Sequence, residues 1–357
     1  MDHPSSNRTL YVGGYASSDE PGIHIVAFDS ASGALRVAGS VAGIHNPSFL
    51  ALHRNAGMLY AVSESGSGAE VVALRIDPRG ASAAILDRQA CSGAGPCHIT
   101  LSPSGRHALA ASYQGGSVSV FPLSESGRLG PEIQFVPHGS PDDVGLANDE
   151  HERTPHPHQV VFSPSGRHVC VPDLGLDRVY IYRWDEQGGR LLFRHTHRLS
   201  RGAGPRHMVF HPHGPYVYTI NELDSTVSAF THPDGDDGAW SHMQTVTALP
   251  ADFAGESFTA DIHMDRTGRF LYASNRGHDS LAAFAVDQES GRLSIAQHTP
   301  TGGRTPRNFA LEGGDSFVVV ANQDTSTLRV FARNTATGML SPTAHQAAVG
   351  RPTCIVG

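Results

Sequence analysis

One unit of turn, strand, turn and strand recurs seven times along the 357 residues, and nothing else in the sequence restricts the fold as much. Its anchors are Asn46-Pro47, Gly95-Pro96, His156-Pro157, Gly204-Pro205, Phe258-Thr259, Thr305-Pro306 and Arg351-Pro352. Counted at 47, 96, 157, 205, 259, 306 and 352, they stand 49, 61, 48, 54, 47 and 46 residues apart. The middle of the unit repeats as LSPSGR (101–106), FSPSGR (162–167), FHPHGP (210–215) and MDRTGR (264–269), and its end as SGRL (126–129 and 290–293) and TGML (337–340). Short β-rich runs broken by Gly, Pro, Ser and Asp read as antiparallel strands joined by tight turns. Four such strands at a period of about 40–50 residues predict a β-propeller.

Only one strand, Cys354-Ile-Val356, follows the last anchor, while Thr9 to Tyr15, Ile23 to Phe28 and Leu35 to Val41 supply three at the other end. The spacing therefore predicts an all-β, seven-bladed propeller of four-stranded antiparallel blades, the last blade closed by the N- and C-terminal strands so that no sheet edge is left open. Residues 1–357 form one domain on this reading, with 1–8 a flexible tail. A hydrophobic content of 39% is enough for a sizeable core, and 39 Gly and 23 Pro suit many tight turns. Two intervals are long, and their extra residues, roughly 136–154 and 241–256, are expected as insertions over one face.

A net charge of −8 without a basic run argues against nucleic acid, which needs clustered Lys and Arg. It leaves room for a small anionic ligand held by a few converging arginines. The cysteines Cys91, Cys97, Cys170 and Cys354 follow no metal-ligand spacing and read as buried reduced thiols. With no leader-like stretch in Met-Asp-His-Pro-Ser-Ser and no run of about 18 apolar residues, a cytoplasmic protein off the membrane is expected. A monomer or weak homo-oligomer is expected too.

In a propeller the first strand of each blade lines the central channel. The two residues after each anchor, Ser48-Phe49, Cys97-His98, His158-Gln159, Arg206-His207, Ala260-Asp261, Arg307-Asn308 and Thr353-Cys354, should surround its mouth. The turn between second and third strands returns to that face, and seventeen residues past successive anchors stand Glu64, Tyr113, Leu174, Glu222, Arg276 and Gln323. Two positions of the repeat thus converge His158, Arg206, Glu222 and Arg276. A histidine can move a proton near neutrality, while arginine holds an anion or an oxyanion. The set fits attack on an ester-like carbonyl of an anionic ligand: His158, Arg206 and Glu222 as catalytic residues, Arg276, Arg307, His98, His207, Asp261 and Gln323 toward the substrate. No Gly-x-Ser-x-Gly elbow points to a serine hydrolase. His156 and His158 alternate along a strand and would not share one ion. Asp142, Asp143, Asp149, Glu150 and Glu152 read as a solvated loop, and other histidines, such as His53, His107, His168 and His298, as surface turns. No metal or other cofactor is expected.

The stretches GAGPRHMVFHP (202–212), INEL (220–223), FAGESFTADIH (253–263), LYASNRG (271–277) and TPRNF (305–309) resemble the lactonase family of seven-bladed propellers, from about Thr9 to the C-terminus. The resemblance implies metal-independent hydrolysis of 6-phosphogluconolactone, with a fungal branch that interconverts carboxymuconate and its lactone. Carried over by motif, the His, Arg and Glu proposed as active-site residues in that fungal branch fall on His158, Arg206 and Glu222, with Arg276 a further anion contact. The longer insert before His156 and His156-Pro157 itself depart from the enterobacterial pattern. An isomerase of the carboxymuconate type is the alternative chemistry. A non-catalytic binding propeller is the alternative without chemistry, although aromatics are only 7% and Trp184 and Trp240 lie off the channel positions.

Overall fold

The computed structural model describes residues 7–78, 81–139, 153–232 and 240–357. Twenty-eight strands form seven four-stranded antiparallel sheets, set around a ring in chain order. Their innermost strands are Leu50–His53, Pro96–Leu101, Val161–Phe162, Pro205–Phe210, Phe258–Met264, Pro306–Glu312 and Pro352–Val356. The last of these pairs with Asn7–Gly14, which continues into Ile23–Asp29 and Leu35–Val41, so both ends of the chain build one blade. Asn7 and Arg8, expected in a loose tail, belong to that blade. Arg8 is fixed by the Glu312 carboxylate at 2.9 Å and by the Gly357 carbonyl at 3.1 Å. No helix among the described residues is long and apolar enough to cross a membrane.

Middle strands such as Met58–Ser63, His107–Ser112 and Tyr216–Asn221 are buried at every residue, because a neighbouring blade covers each face. That is why they read as continuous apolar runs, whereas outer strands such as Leu340–Ala348 alternate. The blades are also pinned to one another. Tyr60, Tyr218 and Tyr272 donate their hydroxyls to the carbonyls of Gly127, Gly291 and Gly338, the glycines of SGRL, SGRL and TGML in the next blade. Gly127 has φ +79°, and a Cβ there would lie 2.5 Å from Met58 Cγ, so the repeated glycine serves both the turn and the close approach of the blades.

A second set of ties runs from each turn between second and third strands to the loop leading into the next blade. Asp177 accepts from the N–H groups of Gly202 and Gly204 at 2.7 Å, and Asp279 from Thr305 N–H at 2.8 Å. Ser225 donates to the Ser257 carbonyl, and Arg351 N–H to Ser326 Oγ. These ties hold the backbone immediately before each anchor. Asp177→Ala is expected to cost about 1–3 kcal/mol by leaving buried donors unpaired. It should also raise KM more than it lowers kcat, because Gly204 leads directly into Arg206. Urea unfolding alongside steady-state kinetics checks both.

Three sequence expectations need correction. Ser241–Thr247 is the outer strand of its blade and not part of an insertion, and Gln134–Pro137 likewise, because each blade needs a fourth strand to cover its third. Residues 140–152 of the other insert, with Asp142, Asp143, Asp149, Glu150 and Glu152, lie outside the described residues. His53, His107, His168 and His298 sit in strands and not in surface turns, and His107 is buried. The four cysteines are free and buried, as their spacing suggested.

Candidate active site

Strict strand alternation would send the two residues after each anchor to opposite faces. A bulge prevents this. Pro205 pairs with Asn221 and His207 with Ile220, leaving Arg206 as the extra residue, and the same shift isolates Cys97 and Arg307. Bulges re-aim side chains beside functional sites. Here the first residue of each pair forms an upper ring and the second a lower ring around the same axis.

The upper ring borders a small cleft lined by Ser48, Cys97, His158, Arg206, Arg307 and Thr353, with Phe49, His207 and Glu64 completing the wall. Arg206, almost fully buried, places Nε 2.9 Å from Glu222 Oε2, and one of its terminal nitrogens donates to the Ala260 carbonyl. Arg276 meets the same Glu222 oxygen at 2.8 Å and donates to the Thr259 carbonyl at 2.9 Å. Burial alone would raise the Glu222 carboxyl, but Arg206, Arg276 and Arg307 outweigh it and hold the group below its ordinary value. Burial also lowers Arg206, and it lowers Arg276 to about 10. Across the cleft Arg307 donates to Tyr15 Oη at 3.1 Å, and Tyr15 donates to Glu64 at 3.2 Å, a carboxylate that also takes the Ser48 hydroxyl. Burial works against the Arg307 charge, but Tyr15, Glu64 and Glu222 outweigh it and raise the group. Of the groups that border the cleft, two guanidiniums, Arg206 and Arg307, stand against one carboxylate, Glu64, which leaves one positive charge in excess; Glu222 and Arg276 pair with each other and do not border it.

His158 borders the cleft with its ring edge-on to His207, centroids 5.2 Å apart, and its Nδ1 is buried without a hydrogen-bond partner. Burial, then Arg206, His207 and Arg307, keep it neutral far below the usual histidine range. His207, from the lower ring, directs Nδ1 to Asp261 Oδ1 at 2.8 Å, and its Nε2 is buried without a partner. Burial and Arg206 lower it to about 4 against the pull of Asp261.

Of the other expected site residues, Asp261 stands behind His207 and does not border the cleft. Its second oxygen takes His263 Nε2 at 2.9 Å, Asn308 Nδ2 at 2.6 Å and Phe309 N–H at 3.3 Å. His98 lies in the lower ring, stacked at 4.1 Å on Phe49, where its Nδ1 accepts from Val160 N–H at 3.3 Å. Gln323 donates to its neighbour Asp324 at 3.0 Å and does not border the cleft. His156 stacks on Tyr113 at 4.3 Å and bonds the Tyr113 carbonyl at 2.8 Å, so the two histidines around Pro157 have different surroundings.

Ser48 and Glu64 were placed at the channel mouth by the repeat, at the positions of Arg206 and Glu222, but given no role there, and Tyr15 was not named at the mouth. The count from the last anchor runs off the chain, but strand pairing puts Tyr15 in the equivalent turn of the blade that both ends share.

Residues 9–357 match the family described as lactonase, 7-bladed beta-propeller. The 6-phosphogluconolactonase of Bacillus subtilis (strain 168) is 33% identical over 345 residues, 97% of each chain. That of Formosa agariphila is 33% identical over 346 residues, 93% of this chain and 94% of its own. Among solved structures, the periplasmic gluconolactonase of Pseudomonas aeruginosa superimposes with a TM-score of 0.88 at 33% identity, covering 98% of this chain and 99% of its own. Fold, matched length and these relatives agree, and the chain belongs to the lactonase family of seven-bladed β-propellers.

Proposed function

We propose that the protein hydrolyses the ring ester of a small anionic sugar-acid lactone, with 6-phosphogluconolactone as substrate and 6-phosphogluconate as product. The observation that carries this reading is the excess of guanidinium over carboxylate around a cleft that also holds neutral imidazole. Neutral imidazole is assigned the activation of water, with His158 in contact with that water. A depressed imidazole is a weak base in the empty enzyme, but a bound anion offsets the Arg206 and Arg307 charges that depress it. Arg206 stabilises the oxyanion, and Glu222 fixes the guanidinium by holding Nε. Arg307 and Arg276 bind the phosphate, for which a planar fork of donors is suited.

The test is proton release in a pH-stat from freshly prepared 6-phosphogluconolactone and from unphosphorylated gluconolactone. Catalysed hydrolysis with kcat/KM at least tenfold higher for the phosphorylated lactone is expected. Equal rates would remove the phosphate from the assignment, and no acceleration of either would remove hydrolysis. If solvent deuterium appears at a product carbon, the chemistry is isomerisation.

A further inference from the structure

The lower ring holds a carboxylate–imidazole pair to which the reading above gives no role. Asp261 is fully buried and charged: Oδ2 receives His263, Asn308 and the Phe309 N–H, leaving Oδ1 for His207 Nδ1 at 2.8 Å. A carboxylate so placed accepts and does not donate, so the ring proton of a neutral His207 sits on Nδ1. The other nitrogen, Nε2, is then a bare lone pair at the far end of a ring that borders the cleft, and nothing among the described residues bonds it. His158 borders the same cleft with its own unpartnered Nδ1. Among the described residues no carboxylate orients that second ring; its charged neighbours are Arg206 and Arg307.

We propose that His207, held in its Nδ1–H form by Asp261, is a second catalytic histidine and receives the proton of the attacking water on Nε2, while His158 holds the same water from its other side. The proposal rests on the hydrolytic reading of the cleft. As water attacks, its oxygen bonds the lactone carbonyl carbon, one of its protons passes to His207 Nε2, and the carbonyl π pair moves onto oxygen beside Arg206. On collapse the bond from carbonyl carbon to ring oxygen breaks, and that oxygen takes the proton back from Nε2. The product is a carboxylic acid, which ionises and releases one proton to solvent. Asp261 supports the step by stabilising the transient imidazolium without itself taking a proton. Among the described residues His158 has no such counter-charge, so the proton goes to His207.

The groups facing His207 set the pH dependence: Arg206, His98, His158 and His263 disfavour its charge and Asp261 favours it. With these balanced as they are, the acid limb of kcat/KM, which reports the free enzyme, should fall near pH 4. Bound anionic substrate offsets Arg206 and Arg307, so the limb in kcat should stand at higher pH.

With 6-phosphogluconolactone, His207→Gln is expected to lose about 10²–10⁴-fold in kcat with KM within threefold of wild type. Asp261→Asn should lose a similar factor as a positioning residue. Nitrogen-15 spectra of histidine-labelled wild type should show His207 protonated on Nδ1 and bare on Nε2, and Asp261→Asn should move the proton to Nε2. Retention of more than a third of wild-type kcat in His207→Gln overturns the proposal, and so does a wild-type spectrum with the proton on Nε2. The spectrum decides the matter if either variant fails to fold. A wild type that hydrolyses no lactone defeats the functional reading instead, while the tautomer measurement still reports on the pair.

Discussion

Arg206→Ala should lower kcat/KM for the phosphorylated lactone about a thousandfold, the loss seen when a preorganised donor to a developing oxyanion is removed. The fold should survive, because Glu222 keeps Arg276 as partner at 2.8 Å and is not left as an unpaired buried charge. Arg206→Lys should recover little, since an ammonium cannot hold Glu222 through one nitrogen and present a planar pair of donors to the ligand. Arg206 is also among the groups that depress His158 and His207. Removing it should therefore raise both imidazoles, and the residual activity of Arg206→Ala should be lost on acidification at higher pH than in wild type. Stopped-flow or pH-stat rates from pH 4 to 8 on both proteins check the magnitude and the direction together.

The largest effect on stability is expected away from the cleft. Arg333 and Asp265 form an almost fully buried pair at 2.6 Å between adjacent blades, and Arg333 also donates to Tyr272 Oη at 2.6 Å and to the Asp315 carbonyl at 3.0 Å. Asp265 in turn accepts the N–H groups of Arg269 and Phe270, which closes the MDRTGR turn. Asp265→Ala leaves a guanidinium buried without its counter-charge and should cost about 3–5 kcal/mol. Replacing both partners with apolar residues of similar volume should cost less, because no uncompensated charge remains. Urea unfolding of both variants measures the difference, and kcat of the folded fraction should be unchanged.

The ring of blades was legible because propeller strands pack on both faces, and the same turn chemistry must recur wherever a blade ends. The cleft was legible in part. Position after the anchor identified Arg206, His158 and Arg307, since the innermost strand can face only the axis. The pairing of His207 with Asp261 was not legible. Both were named as channel residues, but 54 positions separate them, and it is the bulges in their two strands that bring them to one level. A bulge is a single inserted residue that leaves no periodic trace. Gln323 shows the opposite failure: it shares the repeat position of Glu222, yet its amide nitrogen donates to Asp324 next to it and the residue does not border the cleft.

The blade shared by both ends has a consequence for biosynthesis. Tyr15 leaves the ribosome 292 residues before its partner Arg307, and the wall residue Thr353 follows later still. A nascent chain can stack its complete blades as they emerge, since each buries its faces against the one before. The Arg307 side of the cleft assembles only when Pro352–Val356 docks against Asn7–Gly14 and draws the ring shut. On the proposed function, catalytic competence is therefore acquired in one late event, and a chain that lacks Pro352–Val356 should be inactive.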